Sequence, residues 1–164
     1  MKKMIFIFTM LMMVVCPCAF AASYPATLEN GKLVFVATAK DVGVYADRSS
    51  AFIEVYTPQY YQVSIKTVVV KDGKTDKANV MTHHFQYDIN TQRVKYLSVE
   101  KHAWETWDVN QNYGKDGGEQ AVFNLAEVAF VSVCDRKYFG DMERTVSGKK
   151  QKVIPETLYQ ALGI

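Results

Sequence analysis

The sequence predicts an α+β fold: a curved antiparallel β-sheet, a meander of five or six strands, packed against one main C-terminal helix, with a short terminal helix after it. Three observations predict it. Residues 80–103 hold two runs rich in β-branched and aromatic residues around Asp88-Ile89-Asn90-Thr91-Gln92, the composition of an antiparallel hairpin. Residues 62–70 alternate Val63, Ile65 and Val69 with Ser64 and Lys66, the period of a strand. Between Glu119 and Tyr138 the period changes: Gln120, Asn124, Glu127 and Asp135 fall at helical spacing. Leu125, Val128, Ala129, Ser132 and Val133 are then the residues that face the sheet.

The hairpin can be read in detail. A turn centred on Asn90-Thr91 sets Phe85 across from Tyr96, Tyr87 from Val94 and His83 from Ser98. Met81, His83, Phe85, Tyr87, Val94 and Tyr96 share one face, assigned to the core. Thr82, His84, Gln86 and Asp88 share the other with Arg93, Lys95 and Lys101. Leu97 and Val99 fall on the polar side, so a bulge or a second covering layer is expected there.

The chain begins with a targeting pattern. Lys2 and Lys3 precede an apolar run over 4–15, too short to span a bilayer, and Ala19-Phe20-Ala21 offers small residues for a signal peptidase. A signal peptide is therefore expected over 1–21. Lipidation fits less well, because neither Cys16 nor Cys18 follows the small residue a lipobox requires. Removing the leader takes two lysines from the 19 Lys and Arg, leaving 17 bases against 17 acids. A neutral chain with no basic run gives no electrostatic reason to hold nucleic acid or an anionic membrane, and no membrane span is expected after cleavage. Cys134 then stands alone without an internal disulfide partner, in the apolar setting of a small buried hydrophobe.

One domain is expected over 22–140, with a polar connection and short helix over 141–164. After a lead over 23–31, residues 33–39 read as the first strand and 44–47 as a shorter one. Asp47-Arg48-Ser49-Ser50 supplies turn formers. Over 52–61, Pro58 lacks a backbone donor, which predicts an edge or a loop. Asp72-Gly73-Lys74 reads as a polar turn. A last strand is expected over 104–109 and a loop over 110–118. Gly140 is the expected helix stop, 141–152 a mobile connection, and Ile154-Pro155-Glu156 the start of the terminal helix.

Chemistry is sparse. His83 and His84 are neighbours on a strand and point to opposite faces, and His102 would sit roughly 14 Å along the sheet from His83. One zinc ion cannot bridge that span, so no metal or other cofactor is expected. No nucleophile elbow occurs, Gly114-Lys115-Asp116-Gly117-Gly118 lacks the order of a phosphate loop, and no catalytic residue is assigned. Aromatic residues remain as binding candidates: Trp104, Trp107, Tyr113, Tyr60 and Tyr61. Trp104 and Trp107 are three apart on an extended segment, so they face opposite ways.

Val44-Tyr45-Ala46-Asp47-Arg48-Ser49-Ser50, then residues 63–70, Phe85-Gln86-Tyr87-Asp88 and residues 93–99 resemble successive strands of small exported bacterial proteins of the surface-adhesin protein E family. The resemblance covers about half the mature chain. It implies a curved antiparallel sheet backed by a helix and attachment to host proteins. The cysteine pairs common in such proteins are absent, and the apolar stretch over 121–134 is longer. The expected function is thus that of a non-enzymatic exported domain, periplasmic, cell-surface or extracellular, binding another protein. The alternative is a small-molecule binding or hydrolytic protein with a cleft between sheet and helix, lined by His83, Tyr87 and a carboxylate.

Overall fold

The computed structural model describes residues 24–109, 118–146 and 148–164. The expected leader and Tyr113 lie outside the described residues. Seven antiparallel strands run in sequence order: β1 (Thr27–Leu28), β2 (Leu33–Ala39), β3 (Val42–Thr57), β4 (Tyr60–Lys71), β5 (Lys74–Asp88), β6 (Arg93–Ser98) and β7 (Ala103–Trp107). Helix α1 (Gly118–Cys134) lies across β2, β3 and β4. A separate hairpin, β8 (Glu143–Val146) with β9 (Lys149–Lys152), and helix α2 (Glu156–Leu162) complete the chain. The fold is the α+β meander read from the sequence, one short strand longer than expected.

The central register is also as read, with Phe85 opposite Tyr96 and Tyr87 opposite Val94. Phe85, Tyr87 and Val94 are buried, and Tyr96 packs against them. The pairing of β5 with β6 ends there and does not reach His83 and Ser98. No bulge turns Leu97 inward: β6 pairs with β7 without a shift, and Val99 beyond it is exposed.

The two longest departures involve Asp and Ser. The segment around 48–61, expected as a turn followed by an edge or loop, is continuous strand on both sides of a two-residue turn at Pro58-Gln59. Pro58 sits where no ladder bond is required, so its missing donor costs the sheet nothing. Turn chemistry at 47–50 builds a bulge instead of a reversal. The Asp47 carboxylate accepts from the Ser49 amide at 3.0 Å, and the Ser50 hydroxyl accepts from the Lys66 amide at 2.8 Å. In β5 the Asp76 carboxylate does the same for the Ala78 amide, where the β4–β5 register shifts. Such bulges bend the strands that carry them.

Apolar side chains occupy both faces of the sheet, which corrects the single buried face expected. The main core lies under α1. On the opposite face Leu33, Tyr45, Val68 and Val70 form a second cluster under Tyr24 and Leu28. Gly43 permits this cover, since a Cβ there would stand 2.6 Å from the Tyr24 ring.

Helix α1 is buried over nine successive residues, Phe123 through Val131. Its polar stripe points inward as well. Asn124 donates to the Val36 carbonyl at 3.0 Å and Gln120 to the Val153 carbonyl at 2.9 Å. Glu127 is 0% exposed. Its carboxylate accepts from the Tyr138 and Phe139 amides at 2.9 and 3.1 Å and from the Tyr159 hydroxyl at 2.9 Å. This explains why the helix stops at Cys134, with left-handed Asp135, and not at Gly140. The chain must turn early to aim two amides back at Glu127. The stretch over 141–152, expected as a mobile connection, carries the β8–β9 hairpin, and Arg144 on β8 donates to the Gln120 side-chain carbonyl. Helix α2 starts after Pro155 and ends on left-handed Gly163.

Glu127→Ala strands two buried amide donors, each worth about 1–3 kcal/mol, while the Tyr159 hydroxyl keeps the Gly140 carbonyl at 3.2 Å, so the variant is expected to lose about 4 kcal/mol in urea unfolding. Glu127→Gln, which retains one acceptor oxygen, is expected to lose about half as much. Equal stability of Glu127→Ala and the parent would remove this carboxylate from its structural role.

Candidate functional site

The sheet outruns the helix. Helix α1 starts over the middle of the sheet, and the inner face beyond it forms a cleft of about 640 Å³. Its apolar walls come from Val36 and Ala39 on β2, Val44 on β3, Val69 on β4, Met81 on β5, and Ala121, Val122 and Leu125 on α1. Strand alternation places these residues: Val36, Val44, Val69 and Met81 all fall on the helix-facing side of their strands. No lysine, arginine, aspartate or glutamate is among the described lining residues.

Three polar side chains from adjacent strands converge on one wall. Thr67 on β4 is 5% exposed. Its hydroxyl lies 2.8 Å from Nε2 of His83 on β5, and Nδ1 of His83 lies 3.2 Å from the hydroxyl of Tyr96 on β6. The His83 and Tyr96 rings are 6.0 Å apart and nearly parallel. Burial, with the neighbouring His84 second, pushes the His83 pKa down to about 4. The imidazole is therefore neutral at physiological pH, carrying one ring hydrogen. Burial likewise raises the Tyr96 pKa, with Glu105 adding to the effect.

His84 points to the opposite face, where its Nδ1 lies 2.9 Å from Glu54. His102 falls in the turn between β6 and β7, and not on a strand paired with β5 as its expected distance along the sheet from His83 assumed. Tyr87 does not line the cleft; it is fully buried and donates to the Ala126 carbonyl at 2.7 Å. Among the described residues no three His, Cys, Asp or Glu side chains come together to hold a metal ion.

The aromatic candidates are dispersed. Trp107 turns inward onto Phe123, with ring centroids 5.9 Å apart. Trp104 pairs with Leu97 on the other face, half-buried. Tyr61 is half-buried against Phe130, whereas Tyr60 is 53% exposed at the β3–β4 turn. Around that turn Phe52 and Tyr56 are also exposed, at 65% and 61%. Cys134 is half-buried beside Tyr61 and Arg136, and burial raises its pKa, so its thiol is protonated at neutral pH. Comparisons with protein-family models, curated proteins and solved structures found no match to this chain.

Sequence reasoning placed His83 in a sheet–helix cleft as its alternative, but it named Tyr87 and a carboxylate beside it where the structure has Thr67 and Tyr96. The alternation in β4 identified the face on which Thr67 lies. Nothing in the sequence reveals where the helix begins relative to the sheet.

A base whose folded-state pKa is lowered contributes stability in full above its ordinary pKa of 6.5, and that stability is lost as pH falls toward about 4. Denaturant midpoints of the parent are expected to fall more over this window than those of His83→Gln. Parallel pH profiles for the two proteins would show that His83 is not held neutral.

Proposed function

We propose that this protein is an exported, non-enzymatic binding domain of the cell envelope that holds a small apolar molecule in the sheet–helix cleft. One observation carries the reading: an apolar cavity of about 640 Å³ between regular elements, with Thr67, His83 and Tyr96 converging on its wall. That is the form of a small-molecule site, apolar in area and polar at a few fixed points. Export rests on the lysine-led apolar leader.

Hydrolysis fits the cleft less well. A general base works best with a pKa near the operating pH, and that of His83 is about 4. Its second ring nitrogen meets the Tyr96 hydroxyl, where a hydrolase would place a carboxylate to stabilise the imidazolium.

A second reading, contact with another protein at the cell surface, is favoured by the exposed Phe52, Val55 and Tyr56 along the second half of β3 and Tyr60 at the start of β4. The resemblance to the surface-adhesin protein E family points the same way. Tyr60 thereby remains a binding candidate, and Trp107, packed on Phe123, is the weakest of the set.

N-phenyl-1-naphthylamine is expected to bind the purified protein with a saturable rise in fluorescence. Ala121→Phe and Val122→Phe, which fill the cleft, are expected to weaken that binding at least tenfold at unchanged melting temperature. Parent-like binding in both variants would overturn the cleft reading. For the second reading, Phe52→Ser combined with Tyr60→Ser is expected to lose the protein partner that the parent captures by cross-linking in intact cells. Undiminished capture by that variant would end it.

A further inference from the structure

Thr67, His83 and Tyr96 form a chain of two hydrogen bonds. The Thr67 and Tyr96 hydroxyls each bring one hydrogen, and a neutral imidazole brings one more. Two bonds consume two of those three hydrogens. If Nδ1 of His83 carries the ring hydrogen, it donates to Tyr96, Thr67 donates to Nε2, and the Tyr96 hydrogen is left over. If Nε2 carries it, the ring donates to Thr67, Tyr96 donates to Nδ1, and the Thr67 hydrogen is left over. Either tautomer leaves one hydroxyl hydrogen available, and all three residues line the cleft. Among the described residues neither hydroxyl has a second hydrogen-bond partner.

An unfilled donor on an apolar wall selects for an acceptor, since a ligand group that leaves it unpaired forfeits the desolvation cost of that donor. The absence of charge among the described lining residues selects further. An ionic head would be stripped of water with no counter-ion to meet it among the described lining residues, and an ammonium would bring donors toward a donor. Volume sets the scale: at about 640 Å³ the cleft falls within the range of about 300–1,000 Å³ usual for small-molecule sites.

Resting on the cleft reading above, we propose that the ligand is a neutral, carbonyl-tipped apolar molecule, an alkyl ketone, aldehyde or ester, whose carbonyl oxygen accepts the spare hydroxyl hydrogen of the Thr67–His83–Tyr96 chain. The two tautomers let the donor come from either hydroxyl, so the site accommodates the carbonyl at two neighbouring positions without a change in backbone.

The test is displacement of N-phenyl-1-naphthylamine from the purified protein by three nine-carbon competitors at neutral pH: 2-nonanone, nonanoate and nonylamine. The ketone is expected to displace the probe at least tenfold more effectively than either ion. The infrared carbonyl stretch of bound 2-nonanone is expected at lower wavenumber than in an alkane solvent, as accepting a hydrogen bond requires. Equal displacement by all three, preference for either ion, or an unshifted carbonyl stretch would overturn the carbonyl assignment while leaving the cleft reading intact. Failure of the probe itself to bind would overturn both.

Discussion

Glu127 places its carboxyl group in the interior and meets three donors there, two amides from residues 138–139 and the Tyr159 hydroxyl. Burial raises its pKa while those donors act to lower it. Because α1 is apolar almost all round, the sheet can cover only one side of it. The rest has to be covered by the C-terminal segment, and Glu127 is where that segment is bolted on. Tyr138 extends the same bolt to the central hairpin, donating to the Asp88 and Arg93 carbonyls and packing on Tyr87 with rings 4.9 Å apart. A buried carboxylate is a weak source of net stability, but it rewards one arrangement of its donors over others. Its effect here is to specify where the helix ends and how the chain returns.

The cleft follows from the same economy of cover. The core under Phe123, Phe130 and Leu125 is closed by α1 and by what Glu127 anchors. The inner face nearer Val69, Met81 and His83 receives no such cover from the described elements. Polar groups there are spaced across three strands so that they satisfy one another, with one hydrogen to spare. The closed core and the cleft thus occupy different halves of one sheet face.

The hairpin over 85–96 was legible because its pattern is local: the register of a short turn follows from which residues flank it, and alternation then assigns each face. The strand at 62–70 and the terminal helix after Pro155 were legible for the same reason. The segment over 47–61 was not. Asp47, Ser49 and Ser50 have the side-chain chemistry of a turn, and the same hydrogen bonds serve equally well inside a bulge when flanking strands hold the chain extended. Pro58 reads as a disruption unless its neighbours are known to be the two central residues of a hairpin.

The sequence by itself determined the class of fold, the pairing at its centre and the facing of Phe85, Tyr87 and Val94, because these depend on residues within one turn of one another. It also placed His83 on the inner side of β5. Tertiary structure alone decided that Gln120, Asn124 and Glu127 are interior bolts and not a solvated stripe, since their partners lie up to 88 residues away. It alone decided that Thr67, His83 and Tyr96 share one wall of the cleft. Side-chain periodicity records which way a residue points, whereas what stands opposite depends on how separate elements stack, and no local pattern carries that distance.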